Sequence, residues 1–84
     1  MKTEIVSVIE INRGIAKAPK SFIITNGSNN PNRTEIVLIA EKLFEETAKA
    51  NGMSHDELEE ALDNGFYANN NGNEVLLTWS EIMN

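Results

Sequence analysis

The sequence predicts a small α+β domain, with strands at both ends of the chain and two helices in its middle. Three observations predict this fold class: a β-branched run near the N-terminus, two helix-start patterns between residues 32 and 64, and an Asn-Gly pair between apolar segments near the C-terminus. We expect the order ββααββ, with a two-helix hairpin packed on one face of an antiparallel sheet. The 84 residues would form one domain (1–84), made of a strand pair (1–26), a helical hairpin (32–64) and a β-hairpin (66–80).

The first predicted strand is Glu4–Ile11, in which five of the eight residues are β-branched aliphatics. Such side chains lose rotamer freedom in a helix and fit a pleated surface better. Lys20–Thr25 predicts a second, antiparallel strand, and the sequence leaves open whether this pair joins the C-terminal hairpin. Alternation along the first strand puts Glu4, Val6, Val8 and Glu10 on one face and Ile5, Ser7, Ile9 and Ile11 on the other. A helix through Ile5, Val8, Ile9 and Ile15 is the alternative.

Two helix-start patterns predict the helical hairpin. Asn32 and Glu35 have the spacing of a capping box, and Asn51-Gly52 is typical of a helix end. Ser54 and Glu57 form a second capping-box pattern, and this helix should run to about Asp63 before Asn64-Gly65 ends it. Met53 and Leu58 hold the two positions of a hydrophobic staple. The first helix carries a one-sided apolar stripe at Ile36, Ile39, Ala40, Leu43, Phe44 and Thr47/Ala48.

The C-terminal segment predicts a hairpin with Asn71-Gly72 as a two-residue type I′ turn. This turn pairs Asn70 with Asn73, whereas an Asn70-Asn71 turn would reverse every facing. Trp79 is expected as a core anchor, with an exposed binding position as the alternative. The core face would carry Phe66, Ala68, Val75, Leu77 and Trp79, and the opposite face Tyr67, Asn69, Glu74, Leu76 and Thr78. Of these, Tyr67 and Leu76 are the predicted interface residues.

Composition excludes several classes of function. The chain has no cysteine and one histidine, which excludes a disulfide framework, a thiol nucleophile and a cysteine-held zinc. His55 begins an acidic helix and is expected as a solvated surface residue, so we predict no enzyme, no metal site and no cofactor. The span Asp63–Glu74 lacks the central glycine of a calcium-binding EF-hand loop. Charged residues interrupt every apolar run, including the first ten residues, so we expect a cytoplasmic protein that does not enter membranes.

Charge is distributed unevenly along the chain. Seven Lys and Arg against thirteen Asp and Glu give a net charge of −6. Residues 1–33 hold five cations and two acids, and residues 34–84 hold two cations and eleven acids. The first third is therefore basic and the remainder strongly acidic, which favours contact with a cationic partner through the second part.

The spacing of Ala48, Gly52 and Leu58 resembles that of a DNA-binding helix-turn-helix, and the following hairpin resembles the wing of a winged-helix protein. The resemblance covers residues 34–79 and implies nucleic-acid binding. The second helix carries carboxylates where phosphate and base contacts need Arg, Lys, Asn or Gln, so we expect no direct DNA binding through residues 54–63. A degenerate nucleic-acid-binding domain that acts through its basic first third remains an alternative.

The acidic helices favour a protein partner with a basic surface, such as a nucleic-acid-binding protein. A small, acidic, cysteine-free, asparagine-rich chain is similar in profile to the inhibitors that phages and mobile elements encode, including anti-CRISPR proteins and DNA mimics. This resemblance implies a non-enzymatic inhibitor that blocks a basic surface. A structural protein that forms homo-oligomers, a homodimer among them, through its basic and acidic parts is an alternative. The predicted partner-binding residues are Asp56, Glu57, Glu59, Glu60, Asp63, Glu41, Glu45, Tyr67 and Leu76.

Overall fold

The computed structural model describes residues 2–83 as a five-stranded antiparallel sheet with two helices on one face. The helices are α1 (Arg33–Ala50) and α2 (Leu58–Asn64), and short 3₁₀ turns cover Gly27–Asn29 and His55–Glu57. The predicted α+β class and element order are confirmed, with one additional two-residue strand in the first connection. The strands are β1 (Lys2–Asn12), β2 (Ile15–Ala16), β3 (Lys20–Ile24), β4 (Phe66–Ala68) and β5 (Asn73–Met83).

The first and last strands form the centre of the sheet. β1 and β5 pair along their whole length, from Lys2 opposite Met83 to Asn12 opposite Asn73. β2 and β3 both pair with the other edge of β1, and β4 pairs with the outer edge of β5. The helical alternative for the N-terminal run is therefore wrong. The N-terminal strands and the C-terminal hairpin share one sheet because β1 lies between them.

The core fills the space between the sheet and α1. Val6 and Val8 of β1, with Val75 of β5, point toward the helices and are almost completely buried. The helix contributes a column of residues spaced four apart, which places them on one side of it: Ala40, Phe44 and Ala48. The buried residues form two clusters, one around Phe44 and one around Ala40, and Leu77 packs against both and joins them.

The helix ends agree with the sequence pattern at α2 but not at the start of α1. The Ser54 N–H and the Ser54 hydroxyl both donate to Glu57 Oε1, at 3.1 and 2.9 Å, so the second capping box is confirmed. The first capping box is wrong, because the Asn32 side chain makes no cap bond. Asn30 orders this turn instead, since its Oδ1 accepts the Asn32 N–H at 2.8 Å. Gly65 ends α2 in the left-handed region with φ 63°.

The predicted register of the C-terminal hairpin is wrong by one residue on β4. Tyr67 pairs with Val75 and Phe66 with Leu76, so a three-residue loop replaces the two-residue turn. Tyr67 is consequently buried in the core, and Phe66 and Ala68 lie on the opposite face. Trp79 shares the helix side with Val75 but is 45% exposed, because it lies beside the first turn of α1 instead of beneath the helix.

Candidate protein-binding surface

The carboxylates of the second helical segment all project into solvent. This segment is the 3₁₀ turn followed by α2, and among residues 2–83 none of its acidic side chains forms an ion pair with a lysine or arginine. These charges therefore point outward, as contact with a cationic partner requires. The exposed acids are Asp56, Glu57, Glu59, Glu60 and Asp63.

The structure divides these acids between two sides of α2. Asp56 and Glu59 line one depression, together with His55 and two leucines. Glu57 and Glu60 line a second depression on the β4 side. Asp63 lines neither depression. The acids of this segment are therefore divided between two depressions and do not form one continuous surface.

A groove runs between α1 and α2. Leu62 lines the depression that holds Asp56 and Glu59, and it also lines a neighbouring one on α1, so the two depressions lie on either side of this side chain. Leu38, which is 59% exposed, and Leu58 and Leu62, which are half-buried, give the groove an apolar floor. We call this surface the acidic groove, and its lining is Leu38, Glu41, Lys42, Glu45, His55, Asp56, Leu58, Glu59 and Leu62.

Charge in the acidic groove is mainly negative. Its four carboxylates face a single lysine of its own lining, Lys42. Lys49, one turn after Glu45, approaches that carboxylate at 3.5 Å in an exposed i,i+4 pair. Such a pair is weak and easily exchanged for another cation. The groove can therefore bind lysine or arginine side chains, whose aliphatic stems would pack on the leucines.

Glu57 has a structural role as well as an exposed position. Its carboxylate accepts the backbone N–H and the hydroxyl of Ser54, and these two hydrogen bonds hold the pKa of Glu57 below its ordinary value of 4.5. The cause is stabilisation of the charged form by donors at the start of the helical segment. Glu57 is therefore a helix-capping residue and a less suitable partner contact than Asp56 or Glu59.

The two predicted apolar contact residues lie elsewhere. Tyr67 is only 6% exposed and packs in the core, so its prediction as an interface residue is wrong. Leu76 does lie on the face opposite Val75, as predicted, but this is the helix-free face of the sheet. It is half-buried there, between Ile9 of β1 and Phe66 of β4. Neither residue contributes to the acidic groove.

The basic first third is largely neutralised by carboxylates of the same chain. Lys2 pairs with Glu81 at 2.9 Å, Lys17 with Glu10 at 3.5 Å, and Arg33 with Glu4 at 2.7 Å. These pairs were not predicted from the sequence. The alternation along β1 contained a signal for one of them, because it placed Glu4 on the same face as Val6 and Val8, where a buried carboxylate needs a partner.

Glu4, Arg33 and Trp79 form one contact cluster at the start of α1. Glu4 is 5% exposed, and the Arg33 guanidinium donates to both of its oxygens before passing over the Trp79 ring at 5.6 Å from the ring centre. The hydrogen bonds from Arg33 hold the pKa of Glu4 below its ordinary value of 4.5. The cluster anchors α1 on the sheet.

Within residues 2–83, none of the helices has the length and apolar character needed to cross a membrane. Comparison of this chain with protein-family models, with curated proteins and with solved structures found no match.

Proposed function

We propose that this chain is a non-enzymatic binding protein that uses the acidic groove to occupy a basic surface on a partner protein. The observation that carries the proposal is the groove itself. Glu41 and Glu45 line one of its two depressions, Asp56 and Glu59 line the other, and Leu62 lines both. The four acids have one weak ion-pair partner among the described residues. A partner that supplies lysines or arginines would meet both the charges and the leucines.

Both helical elements of the groove are held by contacts within the fold. α1 is an 18-residue helix fixed on the sheet, and the α2 segment is held by the Ser54–Glu57 capping box and by its own buried Ala61. A preorganised surface loses little conformational entropy on binding, so its charges add to affinity and association rate. These features support a binding module.

The same charges repel nucleic acid. A partner whose basic site normally holds a phosphate backbone would therefore be blocked when the acidic groove occupies that site. This is the mode of action of an inhibitor of the kind that phages and mobile elements encode. The alternative of nucleic-acid binding through the basic first third gains no support, because three of its five cations are paired with carboxylates.

A charge-matched pair of variants tests the groove. Asp56→Asn with Glu59→Gln removes two charges inside it, and Glu35→Gln with Glu46→Gln removes two exposed charges of α1 outside its lining. Binding to a fluorescently labelled nona-arginine peptide is measured by anisotropy at several salt concentrations. We expect the groove variant to bind roughly three- to tenfold more weakly with a smaller salt dependence, and the control to bind like the wild type.

Equal effects of the two variants would show that only net charge matters, and would overturn the proposal. Binding of a labelled single-stranded DNA by the wild type at low salt, comparable to that of the peptide, would overturn it as well.

A further inference from the structure

The helix-free side of the sheet is an uncovered apolar surface. On β1 and β5 the residues that alternate with the buried core point away from both helices. Ile23 is 62% exposed there, Ile82 47% and Phe66 42%. We call this side the open face, and its lining includes Ile5, Ser7, Ile9, Ile11, Ser21, Ile23, Phe66, Leu76, Thr78, Ser80 and Ile82.

The open face is organised in rows across the strands. One row contains Ile9, Leu76 and Phe66 and is apolar throughout. Another contains Ile23, Ile5 and Ser80 and is apolar on β3 and β1, and Ile82 lies one row further along β5. Between these rows lies a row of hydroxyls: Ser21, Ser7 and Thr78. Ser7 Oγ and Ser21 Oγ are hydrogen-bonded at 2.8 Å. Along β1 the pattern is therefore apolar, hydroxyl, apolar, and along β5 the same rows carry Leu76, Thr78 and Ser80.

The open face is nearly free of charge. Asp, Glu, Lys and Arg make up 24% of the chain. Among the described residues, Glu74 is the only charged residue that strand alternation places on the open face, and it lies at the end of this face, opposite Ile11. A strongly charged partner would therefore find almost no opposite charges on the open face. A membrane surface is also a poor partner, because interfacial binding sites carry lysines and arginines beside the apolar residues.

We propose that the open face is the interface of a homodimer, in which two sheets pack face to face. A two-fold axis that lies over the hydroxyl row and runs across the strands places Ile9 of one copy on Ile5 of the other, and Leu76 of one copy beside Ser80 of the other. The hydroxyl row then meets itself, which is favourable because a hydroxyl both donates and accepts hydrogen bonds. The two Glu74 side chains fall at opposite ends of the interface.

The area fits a weak but specific dimer. β1 and β5 have 11 residues each, so they extend about 36 Å, and with their shorter neighbours they present roughly 500–600 Å² per copy. This is near the lower limit of about 1,200 Å² in total for stable interfaces. Edge-to-edge association is disfavoured because β4 has three residues and Pro19 interrupts the other edge.

Sedimentation velocity over a wide concentration range tests the proposal. We expect the wild type to pass from monomer to dimer between about 5 and about 500 µM. Ile23→Lys with Phe66→Lys should remain monomeric. Ile15→Lys with Ile39→Lys adds the same charge at two other exposed apolar positions outside the open-face lining, and should dimerise like the wild type. A monomeric wild type at the highest concentration, or dimerisation of the first variant, would overturn the proposal.

A second pair of variants tests the axis and does not depend on a large apolar-to-charged change. Thr78→Asp and Thr78→Lys each place like charges together across the two-fold axis, so each alone should be monomeric. An equimolar mixture should restore a dimer, because opposite charges then meet. If the mixture stays monomeric while the wild type dimerises, the proposed axis is wrong. The acidic groove lies on the helix side, so these results and those on the groove are independent.

Discussion

Arg33 and Glu4 form a two-point ion pair that joins the first residue of α1 to the central strand. Arg33 Nε lies 2.7 Å from Glu4 Oε2, and its terminal nitrogen lies 3.1 Å from Oε1. Among the described residues, Glu4 is the only charged residue that is buried. The ion pair with Arg33 offsets the free-energy cost of removing this carboxylate from water. The pair has consequences for the pH dependence of folding.

Acid should destabilise the protein through Glu4. The folded-state pKa of Glu4 is below its ordinary value of 4.5, so the ionised carboxylate stabilises the fold fully above pH 4.5. This contribution is lost as the pH falls through the lower, folded-state pKa. We expect Glu4→Gln to melt at a lower temperature than the wild type at pH 7, and to lose less stability between pH 4.5 and lower values.

Glu35→Gln is the control for this experiment, because it removes an exposed carboxylate near the start of the same helix. Thermal melting followed by circular dichroism from pH 7 to pH 3 provides the measurement. Glu10 and Glu57 also have lowered pKa values, so the acid-dependent loss in Glu4→Gln should be reduced and not abolished. Parallel pH profiles for wild type and Glu4→Gln would contradict the prediction.

The hairpin register predicts a large loss of stability on truncating one of two neighbouring aromatic residues and a small loss on truncating the other. Tyr67→Ala removes a buried ring and should lower the free energy of unfolding by about 3–5 kcal/mol, enough to unfold much of a domain this small. Phe66→Ala removes a 42% exposed ring on the open face and should cost less than about 1 kcal/mol. Urea unfolding at low protein concentration keeps association out of the comparison. A larger loss for Phe66→Ala would restore the register expected from the Asn71-Gly72 turn.

Asn51 should be important for stability although it lies at the surface end of α1. Its amide nitrogen donates to Glu10 Oε2 at 3.0 Å, and its Oδ1 accepts from Asn12 at 3.0 Å. Asn51→Ala leaves both partners without these bonds and should lower the free energy of unfolding by about 1–3 kcal/mol. The pKa of Glu10, lowered chiefly by this hydrogen bond, should rise toward its ordinary value.

Asn70→Ala, in the exposed hairpin loop, is the matched control and should change stability by less than about 0.5 kcal/mol. Urea unfolding measures the stability difference, and an NMR titration of the Glu10 side chain measures the pKa. Similar losses for the two alanine variants would show that Asn51 acts only as a turn residue.

Local patterns in the sequence were sufficient to predict the helices and strands, but not to predict which strands pair with each other. The Ser54–Glu57 capping box and the Gly65 helix end were predictable because each depends on residues within one turn. The pairing of β1 with β5 was not, because it joins the two ends of the chain. The hairpin loop was misjudged because Asn69 Oδ1 accepts the N–H of Asn71 and of Asn73, which stabilises a wider loop than the Asn-Gly pair alone suggests.

The candidate surface was predictable to the same extent. Solvent exposure of the acids followed from the helical pattern, but their division between two sides of α2 depends on how that helix packs on α1 and β4. Asparagine is typical of turns, and the chain has twelve asparagines. Asn12, Asn51 and Asn69 also link α1, β1 and the hairpin loop through their side chains, and no spacing in the sequence indicates contacts between such distant positions.

Polar attachments at both ends of α1 give the helix a fixed axial position. From Arg33 to Asn51 the helix rises about 27 Å, and from Glu4 to Asn12 the strand beneath it extends about 26 Å, so both ends meet their partners together. The apolar column repeats every four residues, and a slide of one helical turn would leave much of that packing in place. The same slide would break both the Arg33–Glu4 ion pair and the Asn51–Asn12 hydrogen bond. These two polar contacts, and not the apolar column between them, therefore select a single alignment of helix and sheet.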